Sequence, residues 1–146
     1  MPTYTCSTAK GLLNGGRKSA IAAAVTKAHA EITGAPAYFA QVIFQEVTEG
    51  DHFIGGRPLG HDHIFVHGCI RGGRSAVDRE ALMKRLVSDV AAAAETETFA
   101  VWVYLLELPP AVMAEFGHIL PEPGDELDWA EALPAKDRAR MQAVSQ

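Results

Sequence analysis

The feature that most constrains the fold of this chain is an internal duplication. Phe39-Ala-Gln-Val-Ile-Phe44 lines up with Phe99-Ala-Val-Trp-Val-Tyr104, and each stretch follows a helical segment. Each half therefore reads strand–helix–strand, about the size of one crossover unit. In the first half, Thr3 to Ser7 is a short strand and Lys10 to Gly16 a loop in which Asn14-Gly-Gly supplies cap chemistry. Arg17 to Thr33 is an alanine-rich helix with Ile21, Val25, Ala28 and Ile32 on one stripe, ended by Gly34 and Pro36, and Tyr38 to Val47 is the returning strand. A glycine-rich excursion from Asp51 to Gly60 leads to the second half. There Ile64, Phe65, Val66 and Ile70 mark a largely buried strand, and Ser75 to about Ala94 is a helix with Leu82, Leu86 and Val90 on one face. Phe99 to Leu106 closes the unit.

Crossovers favour parallel pairing within each half and place both helices on one side of the sheet. The expected architecture is an α/β (α+β) fold of tandem β-α-β units, with a four-stranded sheet and two helices on one face. Its other face is bare, so Phe44, Val66, Trp102 and similar residues need another subunit or the C-terminal segment as cover. Oligomerisation is the expectation. After Leu108 the character changes. Pro109-Pro110 opens a short helix over Ala111 to Gly117, Pro121-Glu-Pro-Gly124 is a turn, and Leu133 to Val144 is a polar C-terminal helical segment. The expected organisation is one domain over 1–146, with halves of about 1–60 and 61–120 plus this tail.

Composition narrows the classes of function. The 146 residues are 48% hydrophobic, enough for a proper core. Thirteen Lys+Arg against 18 Asp+Glu give a formal charge of −5, and no basic face or run is visible, which argues against a nucleic-acid partner. Cys6 and Cys69 lie far apart outside any paired motif, so neither a disulfide framework nor a zinc ribbon is expected, and a cytoplasmic location is the default. The opening Met-Pro-Thr-Tyr-Thr-Cys does not read as a signal peptide, and no apolar run suggests a membrane span.

Chemistry concentrates in a few places. Gly72 and Gly73 break the second-half strand, and Ser75-Ala-Val-Asp78 forms a capping box. Arg71 and Arg74 thus bracket the handover from a strand to a helix N-terminus. Guanidinium forks bind carboxylates bidentately, and the helix end adds partial positive charge, so this turn is a candidate anion clamp; solvated loop charges are the alternative. Pro2 becomes a free secondary amine if Met1 is removed, and a terminal amine with a reference pKa of ~7.7–8.0 can act as acid or base. His29 lies beside the apolar stripe of its helix, Tyr104 on the last strand, and Glu115 among Val112, Met113 and Phe116. Core, edge or surface roles are the bland alternatives for these three. His61, His63 and His67 share one side at strand alternation, and a metal-binding module is the alternative from another class.

Taken together, these positions resemble the tautomerase superfamily, and more closely its cis-3-chloroacrylic acid dehalogenase group, across nearly the whole chain. The matching elements are Pro2 followed by Thr-Tyr, Ala28-His29, Phe65-Val-His-Gly68, Arg71-x-Gly-Arg74-Ser, Val101-Trp-Val-Tyr104, and Met113-x-Glu115-Phe-Gly117 with the later Leu-Pro-x-Pro-Gly. Departures lie mostly in the Asp51–His61 loop and the tail. The resemblance implies two β-α-β units per chain, a homotrimer, no cofactor and a small carboxylic-acid substrate. It implies that His29, Arg71 and Arg74 bind the substrate carboxylate, that Glu115 helped by Tyr104 activates water for attack at C-3, and that protonated Pro2 delivers a proton to C-2. A cis-3-haloacrylate would then give malonate semialdehyde. Neutral Pro2 acting as base on an enol or 2-oxo acid is the enzymatic alternative.

Overall fold

The computed structural model describes residues 2–144. Strand β1 (Thr3–Ala9) runs into helix α1 (Gly15–Thr33), which returns as β2 (Gln41–Val47). The Asp51–Gly60 excursion folds into a small hairpin of β3 (Phe53–Ile54) and β4 (Arg57–Pro58). The second unit comprises β5 (Ile64–Arg71), helix α2 (Ala76–Ala94) and β6 (Val101–Leu108). The sheet order is β2-β1-β5-β6, with β1 parallel to β2, β5 parallel to β6, and β1 antiparallel to β5 at its centre. Parallel pairing inside each half is what a crossover helix imposes.

Local chemistry sets the helix ends. Asn14 accepts the Arg17 amide at 2.9 Å, and Gly34 closes α1 in the left-handed region at φ 70°. Ser75 accepts the Asp78 amide at 3.0 Å, the expected cap of α2. Both helices pack on one sheet face. Ile21, Val25 and Ala28 of α1 and Leu82, Leu86 and Val90 of α2 are buried against Tyr4, Cys6, Ile64, Val66, Ile70 and Val103.

Two residues expected on the open face turn out to point the other way. Register places Cys6 level with both Phe44 and Val66, and Val66 level with Val103, so one row of side chains faces the helices. Val66 is buried and Phe44 packs on the core. Trp102 belongs to the next row and is exposed, together with Ile43, Tyr104 and Leu106. The tail does not cover that row.

The segment after β6 departs from the expected helix over 111–117. Pro110–Val112 makes a single 3-10 turn, followed by a hairpin of β7 (Ala114–Glu115) and β8 (His118–Ile119). Phe116 and Gly117, at φ 53° and 87°, supply the two left-handed residues that a tight hairpin turn requires. Helix α3 (Glu126–Ala132), which the sequence pattern did not suggest, precedes α4 (Ala135–Ala143). Leu120, Leu133 and Met141 form a second small core with Ala35 and Phe39, pinning the tail to the crossover into β2. That strand begins at Gln41 rather than Tyr38, because Ala37–Phe39 forms a 3-10 turn whose Phe39 ring enters the tail core.

Candidate active site

Pro2 stands at the head of β1, where the sheet, α1 and the tail meet. Its carbonyl accepts the Gln41 amide at 3.0 Å, and its ring is buried. The antiparallel register pairs Thr3 with Cys69, so continuing it by one residue sets Pro2 beside Ile70, immediately before Arg71. Removal of Met1 concerns a residue outside those described.

Strand alternation points Tyr4 to the helix side. Gly68 makes room there: a Cβ on Gly68 would lie 2.6 Å from the Tyr4 ring and 2.8 Å from Leu105. The Tyr4 hydroxyl is thereby carried to 2.8 Å from His29 Nδ1. Burial lowers the His29 imidazole to about 3, aided by the charges of Arg74 and Arg71, so the ring is neutral at neutral pH. Burial likewise raises the Tyr4 phenol well above its ordinary range, which keeps it protonated. Assigning this hydroxyl as donor to Nδ1 leaves the proton on Nε2, free to donate to an anion.

The two arginines sit differently from each other. Arg71, expected at the margin of the fold, is 2% exposed. Its Nη1 donates to the Pro121 carbonyl at 2.8 Å, and its Nη2 is paired with Glu126 of the tail. The Nε of Arg71 is buried without a partner. Arg74 is half-buried and donates from Nη1 to the Thr33 carbonyl at the C-terminal end of α1, at 2.8 Å. Gly73 between them has φ 99°, and a Cβ there would meet Pro123 at 2.6 Å, so the tail closes directly over the arginine turn. His29 and Arg74 thus meet at the C-terminal end of α1, and the charge of Arg71 reaches His29 from the end of β5, where Arg71 continues the row of His67 and Cys69.

A cavity of about 690 Å³ opens at the head of β1, lined by Thr3, Gln41, Cys69, Tyr38, Phe116 and Glu115 among others. Glu115 is brought here by the β7–β8 hairpin. Tyr104 is not brought to this centre. It pairs with His67 on β6, 58% exposed on the open sheet face, with its ring edge-on to Phe65 at 5.1 Å. Thr5, His67 and Tyr104 are level, so Tyr104 lies two strands across from β1, on the opposite sheet face from His29 and four residues short of Arg71 along the row of β5 that they share.

Of the three histidines of the metal reading, His61 and His63 come together, with ring centroids 6.4 Å apart, and His67 stands away from them. His63 and His67 do share a sheet side, but four residues of extended chain separate them by roughly 13 Å. His67 stacks on Phe65, and His61 Nδ1 bonds the Asp62 carbonyl oxygen at 2.8 Å. Among the described residues, no group of three His, Cys, Asp or Glu is placed to hold a metal ion. No helix among them is long and apolar enough to cross a membrane. Tyr4 and Glu126 are site-shaping residues that the sequence reading missed. Tyr4 was legible as an inward strand residue next to Pro2, whereas no local signal links Glu126 to Arg71.

Residues 1–132 match the family model described as a putative oxalocrotonate tautomerase enzyme. No curated protein matches the chain in sequence. Among solved structures, N1, a member of the cis-3-chloroacrylic acid dehalogenase family, is 36% identical with a TM-score of 0.92, covering 97% of this chain and 99% of its own. Native Ps01740 is 29% identical with a TM-score of 0.72, covering 77% and 99%. Q0 fused 4-OT, a symmetric trimer, shares the fold at 22% identity and a TM-score of 0.74, covering 83% and 97%. With the family match running from the start of β1 through the tail that closes on Arg71, the chain belongs to the tautomerase superfamily, in its cis-3-chloroacrylic acid dehalogenase group.

Proposed function

We propose that this protein adds water to small unsaturated carboxylic acids, with cis-3-haloacrylates giving halide and malonate semialdehyde. The observation that carries this reading is the gathering of Arg71, Arg74 and neutral His29 beside the head of β1, with the Glu115 cavity adjoining it. Once Met1 is removed, the Pro2 nitrogen becomes a secondary amine at this junction. The substrate carboxylate is held by the arginines and by His29 Nε2–H. Glu115 takes a proton from water as its oxygen bonds C-3, and the carbon–carbon π electrons shift toward the carboxylate. Fixed cations stabilise that developing charge, typically worth about 2.7–4 kcal/mol per donor. Protonated Pro2 then delivers its proton to C-2. The resulting C-3 halohydrin expels halide and a proton, leaving the aldehyde. An acetylenic acid undergoes the same addition of water and proton, and the enol formed passes its hydroxyl proton to solvent and takes one at C-2 to give the same product.

Tyr104 enters this scheme through assembly. Thr3 and Cys69 line the cavity and also belong to the open sheet face, so a second copy packed on that face reaches the cavity mouth. The assembly is a homotrimer in which the Tyr104 of a neighbouring copy assists Glu115. The N1 relative, of the dehalogenase family, supports the chemistry, and the exposed Ile43, Trp102 and Leu106 support the packing.

The alternative chemistry makes neutral Pro2 a base that moves a proton in an enol or 2-oxo acid, and two arginines nearby favour a neutral amine. Glu115→Gln separates the two, since it keeps shape but removes the base for water. Halide release from cis and trans isomers is followed beside ketonisation of an aryl enol-pyruvate. The expected result is a cis preference in the parent and selective loss of halide release in the variant. Fast ketonisation with no halide release from the parent overturns the hydratase reading.

A further inference from the structure

Among the described residues Arg71 is the one buried side chain of the Lys, Arg, Asp and Glu set, and its partner is not part of the proposed machinery. The tail grips it twice, through the Pro121 carbonyl and the Glu126 carboxylate. Glu126 is itself fixed, because its second oxygen accepts the Gly124 amide at 2.9 Å. Burial alone would raise the Glu126 carboxyl, but the Arg71 hydrogen bond, nearby backbone amides and the Arg71 charge carry it below its ordinary range, so it is ionised at neutral pH. The grip takes the Nη groups and leaves Nε as a buried donor without a partner. A carboxylate oxygen is the acceptor that suits it.

The charges around the head of β1 can be counted. Arg71 and Arg74 contribute two positive charges, while His29 and Tyr4, facing from α1 and β1, are neutral. Glu107 on β6, paired with Arg79, and Asp78 on α2, bonded to Ser75, also face Arg74 and offset its charge, each less than Glu126 does. Glu115 and Tyr38 stand on the cavity side, with Cys69 of β5. On the arginine side Glu126 is the acid bonded to Arg71 and the one that acts most strongly on Arg74.

We propose that Glu126 is a positioning residue for the Pro2 chemistry: it fixes Arg71 so that Nε–H meets the substrate carboxylate, and it cancels one of the two cationic charges so that the proline amine stays a proton donor. This rests on the hydratase reading, because only there does the Pro2 amine, freed of Met1, act as the acid. It supplies the compensation that a protonated amine beside two arginines requires. The balance between Pro2 as acid and Pro2 as base is thereby set from the tail.

The test titrates the Pro2 amine directly, by nitrogen resonance of protein labelled with ¹⁵N-proline, without substrate. Loss of Met1 is ensured by co-expressed methionine aminopeptidase and checked by intact mass. Glu126→Gln keeps the shape and removes the charge. Its amine is expected to titrate about one pH unit lower, the effect of a unit charge roughly 10 Å away in a partly buried setting. Glu126→Ala is expected to shift the same way, Glu126→Asp to recover most of the parent value, and Glu97→Gln, an exposed acid near the opposite end of α2, to leave it unchanged. In the pH–rate profiles the alkaline limb of hydration moves down by the same amount, and the ratio of ketonisation to hydration at pH 8 rises about tenfold. An unmoved amine in either folded Gln or Ala variant, or an equal shift in Glu97→Gln, overturns the proposal. Absence of halide release in the parent with a shifted amine would instead refute the hydratase reading alone.

Discussion

Replacing His29 by Gln is expected to flatten the acid side of the stability curve, and the size of the effect follows from one buried ring. His29 is 4% exposed, bonded to the Tyr4 hydroxyl and held neutral by burial, with its pKa lowered from 6.5 to about 3. The folded state therefore refuses a proton that the unfolded chain accepts below pH 6.5. Stability from the neutral ring is complete above that value and is lost as pH falls toward about 3. Each pH unit well inside this window costs about 1.4 kcal/mol, and integration from pH 7 to pH 5 gives about 2 kcal/mol. Gln presents an oxygen to the Tyr4 hydroxyl but does not titrate. The assay is urea unfolding of parent and variant at one protein concentration across this range, since assembly couples to stability. Lost packing displaces the variant's curve without bending it. The lowered His63 acts in the same direction in both proteins, and the lowered Glu46 and Glu126 act only at more acid pH, so all three cancel in the difference. Parallel curves, differing by less than about 0.5 kcal/mol in their change over this range, would refute the assignment of His29 as a buried neutral ring.

Three further outcomes follow from named contacts. Arg71→Ala strips the donor from Glu126 and the Pro121 carbonyl and is expected to destabilise the fold by about 1.5–3 kcal/mol, whereas Arg74→Ala, which loses one bond to Thr33, costs less; equal thermal melts would refute the difference. Gly68→Ala drives a Cβ to 2.6 Å from the Tyr4 ring, so a loss of about 1–3 kcal/mol and a displaced His29 resonance are expected. A fully stable variant with an unmoved imidazole would show that the site yields easily there. Leu106→Asp places a charge on the open sheet face and is expected to give a smaller species by light scattering; an unchanged mass would show that assembly uses another surface.

The tandem strand–helix–strand plan was legible because its signals are local and repeated. Helical stripes such as Ile21/Val25/Ala28, caps such as Asn14 and Ser75, and the breaks at Gly34 and Gly72-Gly73 are each decided within a few residues, and the structure keeps them all. The hairpin at Phe116-Gly117 was misread as helix because Ala111 to Glu115 contains helix formers, and only pairing across the turn selects the extended form. Facing of the edge strands was half legible. Alternation separates two rows, but which row meets the helices depends on register with β1, a contact between segments about forty or more residues apart.

Within the candidate site the sequence by itself determined the chemistry on offer: a proline at position 2, one histidine, two arginines around a glycine turn, a tyrosine and an acid. Tertiary structure decided their state and company. It buried Arg71 under a tail whose α3 begins against it, made His29 neutral by removing it from water, and set Tyr104 on an exposed sheet face. Burial and ion pairing depend on which distant segments come into contact, and residue type and spacing along the chain do not specify that.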